Sequence, residues 1–182
     1  VDNDTVIKRL NYGPNAHDLH GKLLLNGNCI STSATCVRKD IAKVTGGFSE
    51  RTDFITVEDY EFWIRLSQVG DFFFINDILG EWHTHGENYS SNAKVQANAT
   101  IAVLQHHLHL WQKNHPKSKK NLKYAYGKMW TNAGNNLRNG KEFKTALKFT
   151  KKAFFIYPFY WKTWAVLTLI VLECGYAKVF KK

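Results

Sequence analysis

Hydrophobic and polar positions change their spacing along the chain, and the change falls between residues 91 and 115. Before it, short apolar runs are separated by turn residues, which predicts short helices mixed with strands. After it, apolar residues recur every three or four positions, which predicts helices only. The sequence therefore predicts two domains, residues 1–91 with mixed structure and residues 92–182 with helices.

In the first domain, helices are predicted at residues 19–25, 39–44 and 58–69, and strands at residues 29–37, 71–76 and 78–83. In the last of these helices, Tyr60, Trp63 and Ile64 share an apolar face. Glu61 and Arg65 are four residues apart, a spacing that predicts an ion pair on the outer side of that helix. Gly70 is placed to end it.

In the second domain, helices are predicted at residues 92–114, 119–138, 142–156 and 159–173. Asn139-Gly140 predicts a tight turn between the second and third of them. When Gly127 is set at the first position of a tetratricopeptide frame, Gly134 and Ala146 take its small-residue positions and Pro158 ends the second helix. This spacing predicts a tetratricopeptide-like repeat near residues 127–160, and an ordinary helical hairpin stays the alternative.

Net charge and aromatic content indicate which partners to expect. The net charge is +10, which favours anionic partners, but no nucleic-acid motif accompanies it, so nucleic acid is not expected. An aromatic run at residues 154–161, flanked by Lys151 and Lys162, suits either an anionic membrane surface or the core of a helix pair. Both alternatives stay open.

The cysteines indicate the compartment. Cys29, Cys36 and Cys174 are few, odd in number and without the spacing of a zinc site, so we expect free thiols in a reducing compartment. Together with the membrane alternative, this predicts a cytoplasmic protein, peripheral at the inner face of the membrane.

Two adjacent carboxylates, Glu58 and Asp59, stand at the start of the predicted helix 58–69. Thr56 and Asp59 have the spacing of a capping box, in which the two side chains satisfy the first amides of a helix. A carboxylate fixed at the first turn of a helix also suits a general base. From the pair alone, the two interpretations stay open.

The residues around this pair have an order of their own: Asn28, Arg38-Lys39, Gly46-Gly47-Phe48, Glu58-Asp59-Tyr60-Glu61-Phe62-Trp63-Ile64-Arg65-Leu66, Gly70, Trp82-His83-Thr84-His85, Asn88 and Ser90. Over about residues 20–91, this set resembles the acceptor-side portion of the inverting nucleotide-sugar glycosyltransferases of family 2. The resemblance implies an α+β or α/β fold class, with a partial Rossmann-like GT-A half followed by the all-α domain.

The resemblance also implies roles for individual residues. Asp59 would be the general base, with Glu58 orienting the acceptor or the base. Substrate-binding roles would fall on Asn28, Gly46, Gly47, Trp82 and His83, although the family usually has arginine at the place of His83. His85 would lie near a divalent cation, Mn or Mg, that neutralises the departing diphosphate.

The expected function follows from these roles. It is transfer of a sugar, with inversion, from a nucleotide-diphosphate sugar to a glycan or lipid-linked acceptor. Because the family's nucleotide-binding half normally precedes this portion, the chain is expected to be a fragment of a longer enzyme and inactive alone. The alternative is a non-catalytic interaction module whose helical tail binds a protein partner.

Overall fold

The computed structural model describes residues 18–78, 80, 92–114 and 119–179, with side chains of the last range from residue 122 to 174. The helices are α1 (Leu19–Asn26), α2 (Lys39–Val44), α3 (Glu58–Leu66), α4 (Ala93–Asn114), α5 (Lys119–Asn139), α6 (Phe143–Ile156) and α7 (Trp161–Val179). Short 3-10 helices lie at Thr32–Ala34 and Thr52–Phe54.

The predicted α+β or α/β fold class is wrong. Every regular element in the described part of the chain is a helix, and no strand occurs there. A sheet like that of a Rossmann-like domain is therefore not formed by these residues. The third predicted strand, residues 78–83, falls largely on positions outside the described ranges.

The predicted strand at residues 29–37 is a hydroxyl-rich turn. Ala34 N–H donates to the Ser31 carbonyl oxygen at 3.1 Å, and the Thr35 hydroxyl donates to the same oxygen at 2.6 Å. Serine and threonine hydroxyls compete for backbone groups in this way, which favours turns over strands. The hydroxyl groups of this segment therefore favour the observed turn over the predicted strand.

The predicted strand at residues 71–76 keeps the alternation of a strand without being one. Phe72 and Phe74 pack partly buried against the core, while Phe73 and Ile75 are exposed. Alternation identifies an extended segment, but a strand also needs a neighbouring strand to form a ladder. The described residues contain no strand that could supply one.

The predicted helices are all present; α2 has the predicted bounds, and the others have shifted ends. Helix α3 ends at Leu66 with Ser67 as its C-cap, so Gly70 does not end it as predicted. The turn between α5 and α6 follows Asn139 as expected, but its left-handed residue is Lys141, with φ 61°, and not Gly140. Lysine therefore occupies a position that normally favours glycine.

Helices α5 and α6 form an antiparallel hairpin whose close approach uses small residues, as predicted. A Cβ atom added to Gly134 would lie 2.2 Å from the Thr150 hydroxyl oxygen and 3.3 Å from the Ala146 carbonyl oxygen. Ala146 and Ala153 are fully buried in the same contact. The tetratricopeptide assignment beyond this hairpin stays a prediction.

One hydrophobic cluster includes side chains from both ends of the described chain. Helix α4 contacts both the Thr52–Phe54 turn and α5, and α1 packs on α3, α4 and α5. Trp63, Phe54 and Leu23 are among its most deeply buried members. The predicted division near residue 91 stays a prediction.

A search of the described helices for a segment long and apolar enough to cross a bilayer finds none.

Candidate functional site

The two carboxylates predicted to be catalytic lie in the first turn of α3, where the helix dipole stabilises negative charge. Glu58 is exposed, whereas Asp59 is half-buried. One oxygen of Asp59 accepts a hydrogen bond from the Thr32 hydroxyl at 2.7 Å, and the other accepts from the Tyr60 backbone N–H at 2.6 Å. The site thus combines a carboxylate held in place with a neighbour that faces solvent.

The capping box suggested by the spacing of Thr56 and Asp59 is not formed. The N-cap of α3 is Val57, which makes no side-chain cap hydrogen bond, and Thr56 precedes it. The Thr56 hydroxyl is buried without a partner among the described residues. Asp59 therefore does not act as the reciprocal half of a cap with Thr56.

The backbone that leads into α3 is strained at Thr56. Its φ is 82°, in the left-handed region, which is unusual for a β-branched residue. Such strain costs about 1–3 kcal/mol and clusters at functional sites. The surrounding structure therefore holds Thr56, which precedes the carboxylate pair, in a backbone conformation that threonine disfavours.

Gly46 and Gly47 end helix α2. Both have positive φ, 82° and 68° respectively. Gly46 N–H donates to the Lys43 carbonyl oxygen at 3.0 Å, and Gly47 N–H donates to the Ala42 carbonyl oxygen at 2.9 Å. This is the Schellman arrangement, which favours glycine on backbone grounds alone. A Cβ added to either glycine would meet nothing within 4 Å, so the corner is open on its outer side.

Arg65 connects the turn at Gly46 and Gly47, here called the glycine corner, to α3. Its guanidinium donates to the Thr45 carbonyl oxygen and, at 2.6 Å, to the Gly47 carbonyl oxygen. The same guanidinium pairs with the Glu61 carboxylate, with Nη2 to Oε2 at 2.7 Å. One side chain thus fixes the end of α2 against the helix that carries the carboxylate pair.

The Glu61 and Arg65 pair forms as predicted, but its predicted place on the outer side of α3 is wrong. Glu61 is only 3% exposed, and His107 Nε2 of helix α4 lies 3.1 Å from its other oxygen. Burial opposes ionisation of Glu61, but hydrogen bonds from His107 and Arg65 outweigh it and lower the pKa to about 2. The buried pair therefore connects α3 to the end of α2 and to α4.

Two further buried polar atoms near α3 lack a partner in the part of the chain that is described. They are the Trp63 indole nitrogen and His107 Nδ1. An unsatisfied buried donor or acceptor costs about 1–3 kcal/mol, and native structures contain few of them. With the Thr56 hydroxyl, they concentrate around the helix that carries the carboxylates.

The remaining predicted site residues have different outcomes. The Asn28 side chain accepts a hydrogen bond from the Ile30 backbone N–H at 3.0 Å, which is a local turn contact. Trp82, His83 and His85 lie outside the described residues. Substrate contacts of these residues stay predictions.

The predicted divalent cation finds no fitting ligand set in the ranges described. No three histidine, cysteine, aspartate or glutamate side chains come together there to hold a metal ion. His85, the predicted metal neighbour, is outside those ranges.

Sequence reasoning missed Thr32, which binds Asp59, and His107, which contacts the buried Glu61. Thr32 was assigned to a strand, and no pattern indicates that its hydroxyl reaches Asp59. His107 had a usable signal, because it occupies a buried position of α4 alongside Val103 and Leu104. A histidine on an apolar helix face implies a buried polar partner.

No family model matches this chain, and the searches of curated proteins and of solved structures likewise return no match.

Proposed function

We propose that this chain supplies the acceptor-side part of an inverting glycosyltransferase, with Asp59 as the general base. The observation that carries the proposal is the half-buried Asp59 carboxylate, held by the Thr32 hydroxyl and not engaged in a cap. Each of its oxygens retains a second lone pair, so it can still accept a proton. The ordered motif set of residues 20–91 supports the same assignment.

The proposed reaction uses a nucleotide-diphosphate sugar and an acceptor hydroxyl. The acceptor proton passes to an Asp59 oxygen while the acceptor oxygen bonds to the anomeric carbon. The bond from that carbon to the diphosphate oxygen breaks, and its electron pair leaves with the nucleotide diphosphate. Attack opposite the leaving group inverts the anomeric configuration. Glu58, which is exposed beside Asp59, orients the acceptor.

The test compares Asp59→Asn with the wild type in the natural full-length protein, by measuring nucleotide-diphosphate release from a panel of nucleotide sugars and acceptor glycans. Asparagine keeps the size of the side chain but cannot take the proton. We expect kcat to fall by about 10²–10⁴-fold, with donor binding and Tm nearly unchanged.

Asp53→Asn is the matched control, because Asp53 is an exposed carboxylate paired with Arg51. We expect its turnover to equal that of the wild type. If Asp59→Asn retains normal turnover and only lowers Tm, the carboxylate has a structural role and the proposal is wrong.

A cytoplasmic location, peripheral at the membrane, belongs to the same proposal. Cys29, Cys36 and Cys174 are free thiols, which supports a reducing compartment.

A non-catalytic interaction module is the second candidate function, and one observation favours it. A surface groove of about 310 Å³ lies between α4 and α6, lined by Lys94, Asn98, Lys144, Thr145, Lys148 and Phe149. Its lysines suit an acidic segment of a partner protein. A partner whose binding is abolished by Lys144→Glu, in a protein with no sugar transfer, would favour this function over catalysis.

A further inference from the structure

The outward side of helix α7 is apolar. Its inward side is buried through Thr163, Val166 and Ile170. On the opposite side, Trp161 and Trp164 are 68% and 54% exposed, and the apolar surface continues to Leu172. A surface helix of a globular protein normally carries polar or charged residues on its outer side. Helix α7 therefore exposes a large apolar surface, which is unfavourable in water.

The turn between α6 and α7 extends this face. Phe155 and Phe159 are 81% and 84% exposed. The Phe154 ring joins the two helices, since its centroid lies 5.7 Å from the Phe155 ring and 4.8 Å from the Trp164 ring. We call the four exposed rings the aromatic edge: Phe155, Phe159, Trp161 and Trp164.

The aromatic edge is held in a defined geometry. Trp164 Nε1 donates a hydrogen bond to the Pro158 carbonyl oxygen at 2.9 Å, which fixes the indole against the turn. Phe159 contacts Tyr157, with 5.9 Å between ring centroids. The rings are therefore exposed by the packing of the turn and not by a loosely attached end.

Positive charge surrounds the aromatic edge. Lys151 is exposed and lies one helical turn before Phe155, so the two share a face of α6. Lys162 Nζ lies 5.7 Å from the centroid of the Trp161 ring. From residue 119 to 182 the sequence contains two acidic residues, Glu142 and Glu173, and Glu173 is paired with Arg138. Among the described residues, the surface thus combines aromatic rings with lysines that form no ion pair with a carboxylate.

We propose that the aromatic edge and the outward face of α7 bind an anionic lipid bilayer, with the rings in the headgroup region and Lys151 and Lys162 on anionic lipid headgroups. Aromatic rings and lysines are the side chains that membrane interfaces favour. A second copy of the chain fits less well, because symmetric pairing of this face would bring the lysines of the two copies together. The proposal deepens the peripheral location given above and does not depend on the chemistry of Asp59.

The experiment measures co-sedimentation of the 182-residue chain with two vesicle types, phosphatidylcholine alone and phosphatidylcholine mixed with phosphatidylglycerol. We expect binding to the anionic vesicles, weakened by salt because exposed charges are screened beyond about 8 Å at physiological ionic strength. Lys151→Gln and Lys162→Gln should each weaken binding roughly fivefold.

The double variant Phe159→Ser/Trp161→Ser removes two exposed rings, so the fold should persist, and we expect vesicle binding to fall about tenfold or more. Phe73→Ser is the matched control, since Phe73 is equally exposed but lies in the other part of the chain. It should bind as the wild type does. Circular dichroism and Tm establish that each variant is folded.

Several results would overturn the proposal. One is that the chain fails to bind anionic vesicles, and another is that it binds neutral vesicles equally well. A third is that Phe73→Ser loses as much vesicle binding as the double variant. Sedimentation velocity showing a dimer that the double variant abolishes, without vesicle binding, would assign the face to a second copy. Asp59→Asn should bind vesicles normally, so failure of sugar transfer and failure of membrane binding are separate outcomes.

Discussion

Both parts of the molecule bury polar side chains, but they satisfy them differently. Around α3, the Glu61 carboxylate is shared by Arg65 and by His107 of α4, so charged groups join segments that are far apart in sequence. In the helical hairpins, the Thr131 and Thr150 hydroxyls donate to carbonyl oxygens one turn back in their own helices, each at 2.8 Å. The first arrangement couples distant segments and depends on pH. The second uses neutral hydroxyls, which bond within their own helix and, between Thr131 and Thr163 of α7 at 2.7 Å, across helices.

The first prediction concerns the buried contact of Glu61 with Arg65 and His107. Glu61→Gln removes one partner of a buried ion pair and leaves Arg65 without its carboxylate. We expect the free energy of unfolding to fall by about 3–5 kcal/mol, measured by chemical denaturation at neutral pH. Asp53→Asn, in the exposed pair with Arg51, should cause no measurable change.

Acid should remove the same contribution without mutation. The pKa of Glu61 is about 2 in the folded chain, against an ordinary value of 4.5. A lowered pKa means that the stabilisation is fully present above pH 4.5 and is lost as pH falls towards about 2. Because Gln cannot titrate, the difference between the wild type and Glu61→Gln should shrink over that window. A difference that stays constant with pH would contradict the assignment.

The second prediction breaks the close packing of α5 on α6. Gly134→Val places a branched side chain against the buried Thr150 hydroxyl and the α6 backbone. Overpacking of this kind costs about 1–3 kcal/mol, and we expect a corresponding loss of Tm with little dependence on pH. Gly70→Ala is the control, because a Cβ at Gly70 meets nothing within 4 Å. Equal losses in both variants would argue against the packing.

The third prediction is a substitution that raises the free energy of unfolding. Lys141 has a φ of 61° in the turn after α5, and glycine tolerates that conformation without the strain that a Cβ imposes. Lys141→Gly should therefore stabilise the chain by up to about 1 kcal/mol. Lys148→Gly, in the middle of α6, should destabilise it by about 1 kcal/mol. Thermal denaturation of the two variants measures both effects.

The comparison between the two parts also explains what the sequence could predict. Helices α4 to α7 follow from apolar spacing, and the contact of Gly134 with Ala146 follows from residue size. Such signals are local, since each depends on residues within one or two turns of a helix. The ends of these helices differ from prediction by at most two residues, except that α7 continues to Val179 where residue 173 was predicted.

The first part was predicted less well because its structure depends on distant contacts. The apolar run at residues 71–76 predicted a strand, and in the structure Phe72 and Phe74 do pack against the core, but the run alone cannot show whether a second strand is present to pair with it. The position of Glu61 depends on His107, which is remote in sequence. The contact of Thr32 with Asp59 depends on a turn in a segment that was predicted to be a strand.

The stability of helix α2 depends on hydrogen bonds that Arg65 donates to its C-terminal end. It has six residues, none of them buried, and isolated helices shorter than about 12–15 residues are marginal in water. Its last turn is held by a guanidinium that belongs to α3. Helix α2 therefore relies for its stability on contacts outside itself, and without α3 the carbonyl groups of the glycine corner would lose their hydrogen bonds from Arg65.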